Sequence, residues 1–365
     1  MTIAVIGANG FVGTRIAELW HRGPHVLRPI VRRNIGLARL SRFELDCRVA
    51  DATDSAALSR ELAGCEAVVN CVTGEAETII ASSVAGYAAA CAAGVPRFVH
   101  LSSASVHGQN PEPGTDERSP IRDDQWHWYN NAKVRAEAEL RKLRAGGQTQ
   151  LAILRPGVVW GPRSRWITEF LSDVMISRAW VVDGGNGVMN SIFVDNLIHA
   201  IDLCLKLDQS DHESFLAQDA EAVSWKELYE PICVASGHEW SEVASVRPDV
   251  SIPSPPRSNV DRVKAIPLAR GVARRVRPRI KRLARAALGA WSEPSTPNPY
   301  RLPEPELPAI SEEMVRLQSS RWRLPDAKAR QVLGYRPPVS FAQGMEITLD
   351  WLDWAGYPVA SRRAP

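Results

Sequence analysis

No apolar run in the 365 residues approaches the roughly 18 that a membrane-crossing helix needs. Six cysteines (Cys47, Cys65, Cys71, Cys91, Cys204 and Cys233) form no close pairs and no metal-ligand cluster with histidines. Several lie within apolar stretches, such as Cys71 in Val68-Val-Asn-Cys-Val72. That pattern argues against a disulfide scaffold and against a metal site; it fits buried, reduced thiols in a reducing compartment. Charge bias is also missing: the formal net charge is +3, so no general affinity for nucleic acid is expected. The first residues lack the basic head and apolar core of a secretory leader, and the expectation is a cytoplasmic protein. Hydrophobic content of 45% and charged content of 23% are ordinary for a globular chain. The length suits two joined lobes.

What the chain does have is alternation. Strand-like runs at Thr2–Ile6, His25–Val31, Phe43–Ala50, Ala67–Val72, Arg97–Leu101 and Leu151–Leu154 are separated by helical patterns. Among these patterns are Ser55–Leu62, Ile79–Ala93 and the stretch through Lys133–Leu140. Such alternation predicts an α/β fold with a doubly wound parallel sheet, whose ligands sit at the carboxyl ends of the strands.

Gly7, Gly10 and Gly13 follow the first strand and open a helix, spaced G-x-x-G-x-x-G rather than G-x-G-x-x-G. Glycines there let the backbone approach a pyrophosphate held by helix N-terminal amides. The second strand ends in Arg32-Arg33, with no carboxylate in the place where one would bind the ribose hydroxyls of NAD. Arginine there accommodates a 2′-phosphate, so NADP(H) is favoured over NAD(H). Ser103 ends the Arg97–Leu101 run, and Tyr129 and Lys133 lie four apart at the start of a helical pattern. That spacing puts both side chains on one face, one turn apart. An ammonium beside a phenol eases its ionisation, and a nearby hydroxyl holds the oxygen whose proton the phenol exchanges. These are parts for hydride chemistry at a carbinol carbon.

Together these segments resemble the extended short-chain dehydrogenases/reductases, the NAD(P)-dependent epimerase/dehydratase group. The matching motifs are Gly7-x-x-Gly-Phe-x-Gly13, Asp51, Ser102-Ser103-x-x-Val-His-Gly108, Tyr129-x-x-x-Lys133 and Leu154-Arg-Pro-Gly157-x-x-Trp-Gly-Pro162. Phe193-Val-Asp195-Asn196 and Asp326-x-Lys-Ala-Arg330-x-x-Leu-Gly-Tyr335 follow in order. The resemblance implies a Rossmann-type nucleotide domain at 1–160 and a smaller C-terminal substrate lobe at 161–365, with Rossmann elements returning near 188–207. It implies Ser103, Tyr129 and Lys133 as catalytic. The cofactor would lie on Gly7, Asn9, Gly10, Phe11, Val12, Gly13, Arg32, Arg33, Asp51, Ala52, Val72, Tyr129, Lys133, Pro156 and Val158. Asp51 would touch the adenine, and Pro156 with Val158 the nicotinamide end. Substrate would meet Thr73, Ser103, Ser105 and Asn190.

Departures from the pattern narrow the chemistry. Sugar dehydratases of the group carry an acidic pair after the catalytic hydroxyl residue; here Ala104 and Ser105 stand there, which argues against dehydration. His107 replaces a tyrosine, and is either a second proton carrier or a hydrogen-bonded packing residue. Asn130 and Ala132 replace the common glycine and serine. The tryptophans at 160, 166 and 180 are either core or sugar platforms.

Residues 248–310 match the family least: a Pro-flanked insert whose basic residues are opposed only by Asp261 between Arg257 and Arg285. Its 270–291 stretch reads as a basic amphipathic helix, either a lid or lobe-packing element or a peripheral contact with an anionic (inner) membrane surface. The expected activity is an NADP(H)-dependent oxidoreductase acting on a carbonyl or secondary alcohol. A nucleotide-sugar epimerase is the alternative, and a non-catalytic cofactor-binding regulator is disfavoured by the intact catalytic set. Expected partners are a small-molecule substrate, sugar nucleotide or other carbonyl or alcohol, and a second copy of the chain in a homodimer.

Overall fold

The computed structural model describes residues 1–249 and 310–360. Its first half alternates as expected: β1 (Thr2–Ile6), α1 (Phe11–Trp20), β2 (Val26–Val31), β3 (Arg48–Val49), α2 (Ser55–Leu62), β4 (Ala67–Asn70), α3 (Ala76–Ala92), β5 (Arg97–Leu101), α4 (Trp128–Ala145) and β6 (Gln150–Pro156). The short strands β7 (Val158–Trp160), β8 (Trp180–Val182), β9 (Val188–Met189) and β10 (Ser191–Phe193) follow, with α5 (Arg165–Met175) between β7 and β8. Then come α6 (Val194–Lys206), β11 (Ser214–Ala217), β12 (Val223–Ser224), α7 (Trp225–Ala235) and β13 (Ala244–Val246). The last described elements are α8 (Glu312–Gln318), α9 (Ala327–Val332) and α10 (Phe341–Trp354).

Seven strands make one parallel sheet in the order β11-β6-β5-β4-β1-β2-β3. Helices cover both faces, so the central strands are buried on both sides and their sequences are continuous apolar runs. Ile3, Ala4, Val5 and Ile6 of β1 are each at most 1% exposed. One face packs α1, α6 and α9 through residues such as Val5, Ile16, Ile201 and Tyr335; the other packs α2, α3 and α4 through Ile6, Leu58, Tyr87 and Leu140. From β1 the chain winds outward through β2 to β3, then returns to build β4, β5 and β6 on the other side. This reversal opens a crevice beyond the carboxyl ends of β1 and β4.

One expectation needs correction. The strand foreseen over Phe43–Ala50 is only Arg48–Val49, because as the edge of the sheet it has one neighbour, β2, to pair with. Past residue 160, α6 and β11 return to the main sheet, and Tyr335 buries its ring there. The smaller lobe has its own core, in which Trp160, Phe170, Trp225, Tyr229 and Leu352 meet and the rings of Phe170 and Tyr229 stack at 3.9 Å. Trp160 is fully buried, so it is core rather than a platform. Of the 248–310 insert, residues 250–309, its expected 270–291 helix included, lie outside the described residues. Among the described residues no helix is long and apolar enough to cross a membrane.

Candidate active site

The dinucleotide cradle is set by two backbone constraints. Gly7 leaves β1 at φ +81°, in the left-handed region. A Cβ on Gly13 would stand 2.6 Å from the Gly7 carbonyl oxygen and 2.7 Å from Ala8 Cα, so only glycine lets α1 begin this close to the strand. The first intrahelical bond runs from Thr14 N–H to Gly10 C=O at 2.9 Å, which leaves the amides of Phe11, Val12 and Gly13 directed out of the helix end. That is an anion site by construction.

The other expected positions line the same sheet edge. Arg32 and Arg33 follow β2 and are exposed; Asp51 and Ala52 follow β3; Val72 and Thr73 follow β4; Ser103 and Ser105 follow β5; Pro156 ends β6. Asp51 Oδ1 accepts from the Thr53 amide at 2.9 Å and its hydroxyl at 2.8 Å. Those bonds, helped by the charges of Arg32 and Arg33, hold the Asp51 carboxyl below its usual range. Arg39 adds a third guanidinium, donating to the Asn9 carbonyl at 3.4 Å. The glycine turn and the open amides fit the pyrophosphate of a dinucleotide. Val158 opens β7. Asn190 behaves differently: its amide donates to the Trp322 carbonyl at 3.1 Å and accepts from the Leu324 amide at 2.7 Å. Its side chain is spent tying down the C-terminal segment.

Tyr129 and Lys133 share one face of α4, as their spacing predicts, and Ser103 hydrogen-bonds to Tyr129. Ser103 Oγ lies 2.9 Å from Ser105 Oγ, and Lys133 Nζ sits 5.8 Å from the centre of the Tyr129 ring. Lys133 is 2% exposed and donates to the Leu101 carbonyl at 2.7 Å. Burial brings its ammonium down to about 8, against the opposing pull of Glu137 and Cys71. The expected easing of the phenol by lysine is not seen here. Burial pushes Tyr129 up to about 12; the Ser103 hydrogen bond lowers it and the charge of Glu313 raises it further.

Three groups that hold this set in place were not foreseen. Glu137, four residues beyond Lys133 and fully buried, continues the Tyr129–Lys133 face. It accepts from Ser102 Oγ at 2.5 Å and from Arg155 Nε and Nη2 at 3.0 and 2.6 Å, joining α4 to β5 and β6 directly beneath Ser103. The i+4 spacing of a carboxylate behind the lysine was the available signal. Gln125 donates to the Val106 carbonyl at 2.7 Å and accepts from Asn130 Nδ2 at 2.9 Å, fixing the start of α4 against the Ser103 loop. Asn130, the departure inside Tyr-x-x-x-Lys, is therefore half of a staple. Asp219 accepts from Trp160 Nε1, Ser191 Oγ, the Phe193 amide and Asn196 Nδ2, all within 3.0 Å, and orders β7 and β10.

His107 resolves as a packing residue. Arg155 Nη1 lies 3.2 Å from its Nε2, and because a guanidinium only donates, the imidazole is neutral and accepts there. Burial first, then Arg155, lowers its pKa to about 4. An unfolded chain binds that proton near 6.5, so this contribution to stability is present above that value and is lost as pH falls from about 6.5 towards 4. The urea midpoint should decline across that window, and His107→Gln should flatten the decline. An unchanged slope in the variant would mean that His107 is not the group responsible.

A family model described as NAD dependent epimerase/dehydratase family matches residues 3–216. N-acetyl-alpha-D-glucosaminyl-diphospho-ditrans,octacis-undecaprenol 4-epimerase of Escherichia coli O157:H7 is 26% identical over 239 residues, spanning 62% of this chain and 70% of that protein. UDP-glucose 4-epimerase of Vibrio cholerae is 25% identical over 257 residues, spanning 64% of this chain and 75% of that one. Among solved structures, DesIV, a dTDP-glucose 4,6-dehydratase of Streptomyces venezuelae with NAD bound, superimposes with a TM-score of 0.68 at 19% identity. The overlap covers 96% of this chain and 97% of that one. At that identity the likeness speaks to the fold.

Proposed function

The chain belongs to the NAD dependent epimerase/dehydratase family, an enzyme family, and on that premise we propose that it is an NADP(H)-dependent oxidoreductase acting on a carbonyl or secondary alcohol. The observation that carries this reading is the convergence of Ser103, Tyr129 and Lys133 beside the Gly7–Gly13 cradle at one sheet edge. The dinucleotide, when bound, supplies or accepts the hydride. Tyr129 donates the proton to the substrate oxygen in reduction and takes it back in oxidation. The Ser103 hydroxyl, oriented by Ser105, holds that oxygen. Lys133, anchored on the Leu101 carbonyl, lies 5.8 Å from the centre of the Tyr129 ring and would hold the ribose of a bound dinucleotide.

The preference for NADP(H) rests on Arg32 and Arg33, exposed at the end of β2 with no carboxylate where a ribose diol would be recognised. NADPH should bind more tightly than NADH in a fluorescence titration. Replacing both arginines with serine should weaken NADPH by about ten- to a hundredfold, the scale of one or two charge-assisted hydrogen bonds, and leave NADH unchanged. Equal affinities in the unmodified protein would remove the arginine argument. A screen of ketones and alcohols followed at the NADPH absorbance would then identify the substrate.

A nucleotide-sugar epimerase is the second reading, favoured by the UDP-glucose 4-epimerase relative. Against it stand the arginine pair and the commitment of Asn190 to the backbone of Trp322 and Leu324. Ala104 and Ser105 leave no acid–base pair for dehydration.

A further inference from the structure

Two polar side chains are buried behind the catalytic edge, and the reaction as described uses neither. β4 ends at Asn70 and β5 runs to Leu101, with Asn70 and His100 paired across the parallel ladder. Val68 and Phe98, two residues earlier on the same strands, lie in the core beneath α2, α3 and α4. Side chains alternate along a strand, so Asn70 and His100 point to that face as well. Each is 1% exposed. Asn70 Oδ1 accepts from the Val72 amide at 3.1 Å, but its Nδ2 has no hydrogen-bond partner. Neither ring nitrogen of His100 has one. An apolar pair would fill this space without the cost of burying unpaired polar atoms. Lys133 comes from α4 on the same face, and its Nζ donates to the carbonyl of Leu101, the residue next to His100. That bond uses one of the three N–H groups of the ammonium. In the proposed reaction a second holds the ribose of the dinucleotide.

We propose that His100 is a positioning residue for Lys133: with Asn70 it binds an ordered water that takes the third N–H of the ammonium and keeps Lys133 directed at the ribose. The inference rests on the role given to Lys133 in the proposed reaction. The donors and acceptors fit one water. Lys133 Nζ and Asn70 Nδ2 only donate, so neither can satisfy the other, whereas a neutral imidazole offers one acceptor nitrogen. A water that accepts from the lysine and the asparagine and donates to the histidine makes three bonds, the usual number for a buried water. Burial, and then the charge of Lys133, hold His100 in that neutral form. The other titratable groups around the ammonium are Tyr129 and Glu137 on its own helix and Cys71 beyond β4, with Arg155 of β6 paired to Glu137.

The test needs no substrate. Full-length protein is labelled with ¹³C at lysine Cε, and Lys133 is recognised as the resonance missing from Lys133→Met. Burial brings its titration down to about 8. His100→Phe removes the acceptor at similar size and should lower that midpoint by about one pH unit, the scale of one hydrogen bond to the charged form. His100→Gln keeps an acceptor and should stay close to the unmodified protein. The proposal falls if both variants shift the midpoint equally, if neither does, or if the midpoint rises. Should the phenylalanine variant not fold, the unmodified protein decides. With ¹³C-labelled histidine, the His100 ring protons should cross-relax with a bound water, and absence of that signal overturns the proposal. Neither readout involves turnover, so both stand apart from the experiments that test the oxidoreductase reading itself.

Discussion

Tyr129→Phe should lower turnover by about a hundred- to ten-thousandfold while leaving dinucleotide affinity nearly unchanged. In the proposed reaction the phenol exchanges a proton at the oxygen that Ser103 holds, and phenylalanine removes only that hydroxyl. The ring contacts that surround it, with Trp128 edge-on at 6.0 Å and Lys133 at 5.8 Å, survive the change. The Gly7–Gly13 cradle lies on other elements and is untouched. Single-turnover rates with NADPH and the best ketone from the screen would measure the loss. Activity within tenfold of the unmodified protein would show that another group moves the proton.

The second large effect is on stability. Arg155→Met strands the Glu137 carboxylate, which is fully buried between α4 and the sheet and takes two hydrogen bonds from that guanidinium. Breaking a buried pair from one side costs about 3–5 kcal/mol, because the remaining charge keeps its desolvation penalty and loses its partner. At about 2–4 °C per kcal/mol, the thermal midpoint should fall by roughly 10 °C. The double variant Arg155→Met/Glu137→Leu should recover much of that loss, since it removes both charges. Lys133 would lose the neighbour that supports its ammonium, so recovery of stability should not bring recovery of activity. If Arg155→Met costs less than about 1 kcal/mol, water reaches Glu137 and the pair is not sealed.

The grouping of Ser103, Tyr129 and Lys133 was legible in the sequence because each member is tied to its neighbours by local rules. Tyr129 and Lys133 share a helix face through their spacing, and Ser103 sits where an apolar strand must stop. The glycine turn was legible for the same reason: backbone conformation at Gly7 and Gly13 is a property of a few adjacent residues. Arg155 and Glu137 were each visible, yet nothing local paired them. Their distance along the chain is bridged only when α4 lies across β6. Glu313 was further out of reach, since no sequence spacing connects it with Tyr129.

By itself, the sequence determined the parallel sheet, the sheet edge that carries the glycine turn, and the three residues proposed for the chemistry. It could do so because periodicity, turn conformation and strand ends are short-range. The tertiary structure alone decided what those residues experience. It placed Lys133 on the Leu101 carbonyl, sealed Glu137 against Arg155, made His107 a neutral acceptor and brought the charge of Glu313 to Tyr129. Burial and the fields of distant charges depend on which segments pack together, and that is settled only when the whole chain has folded.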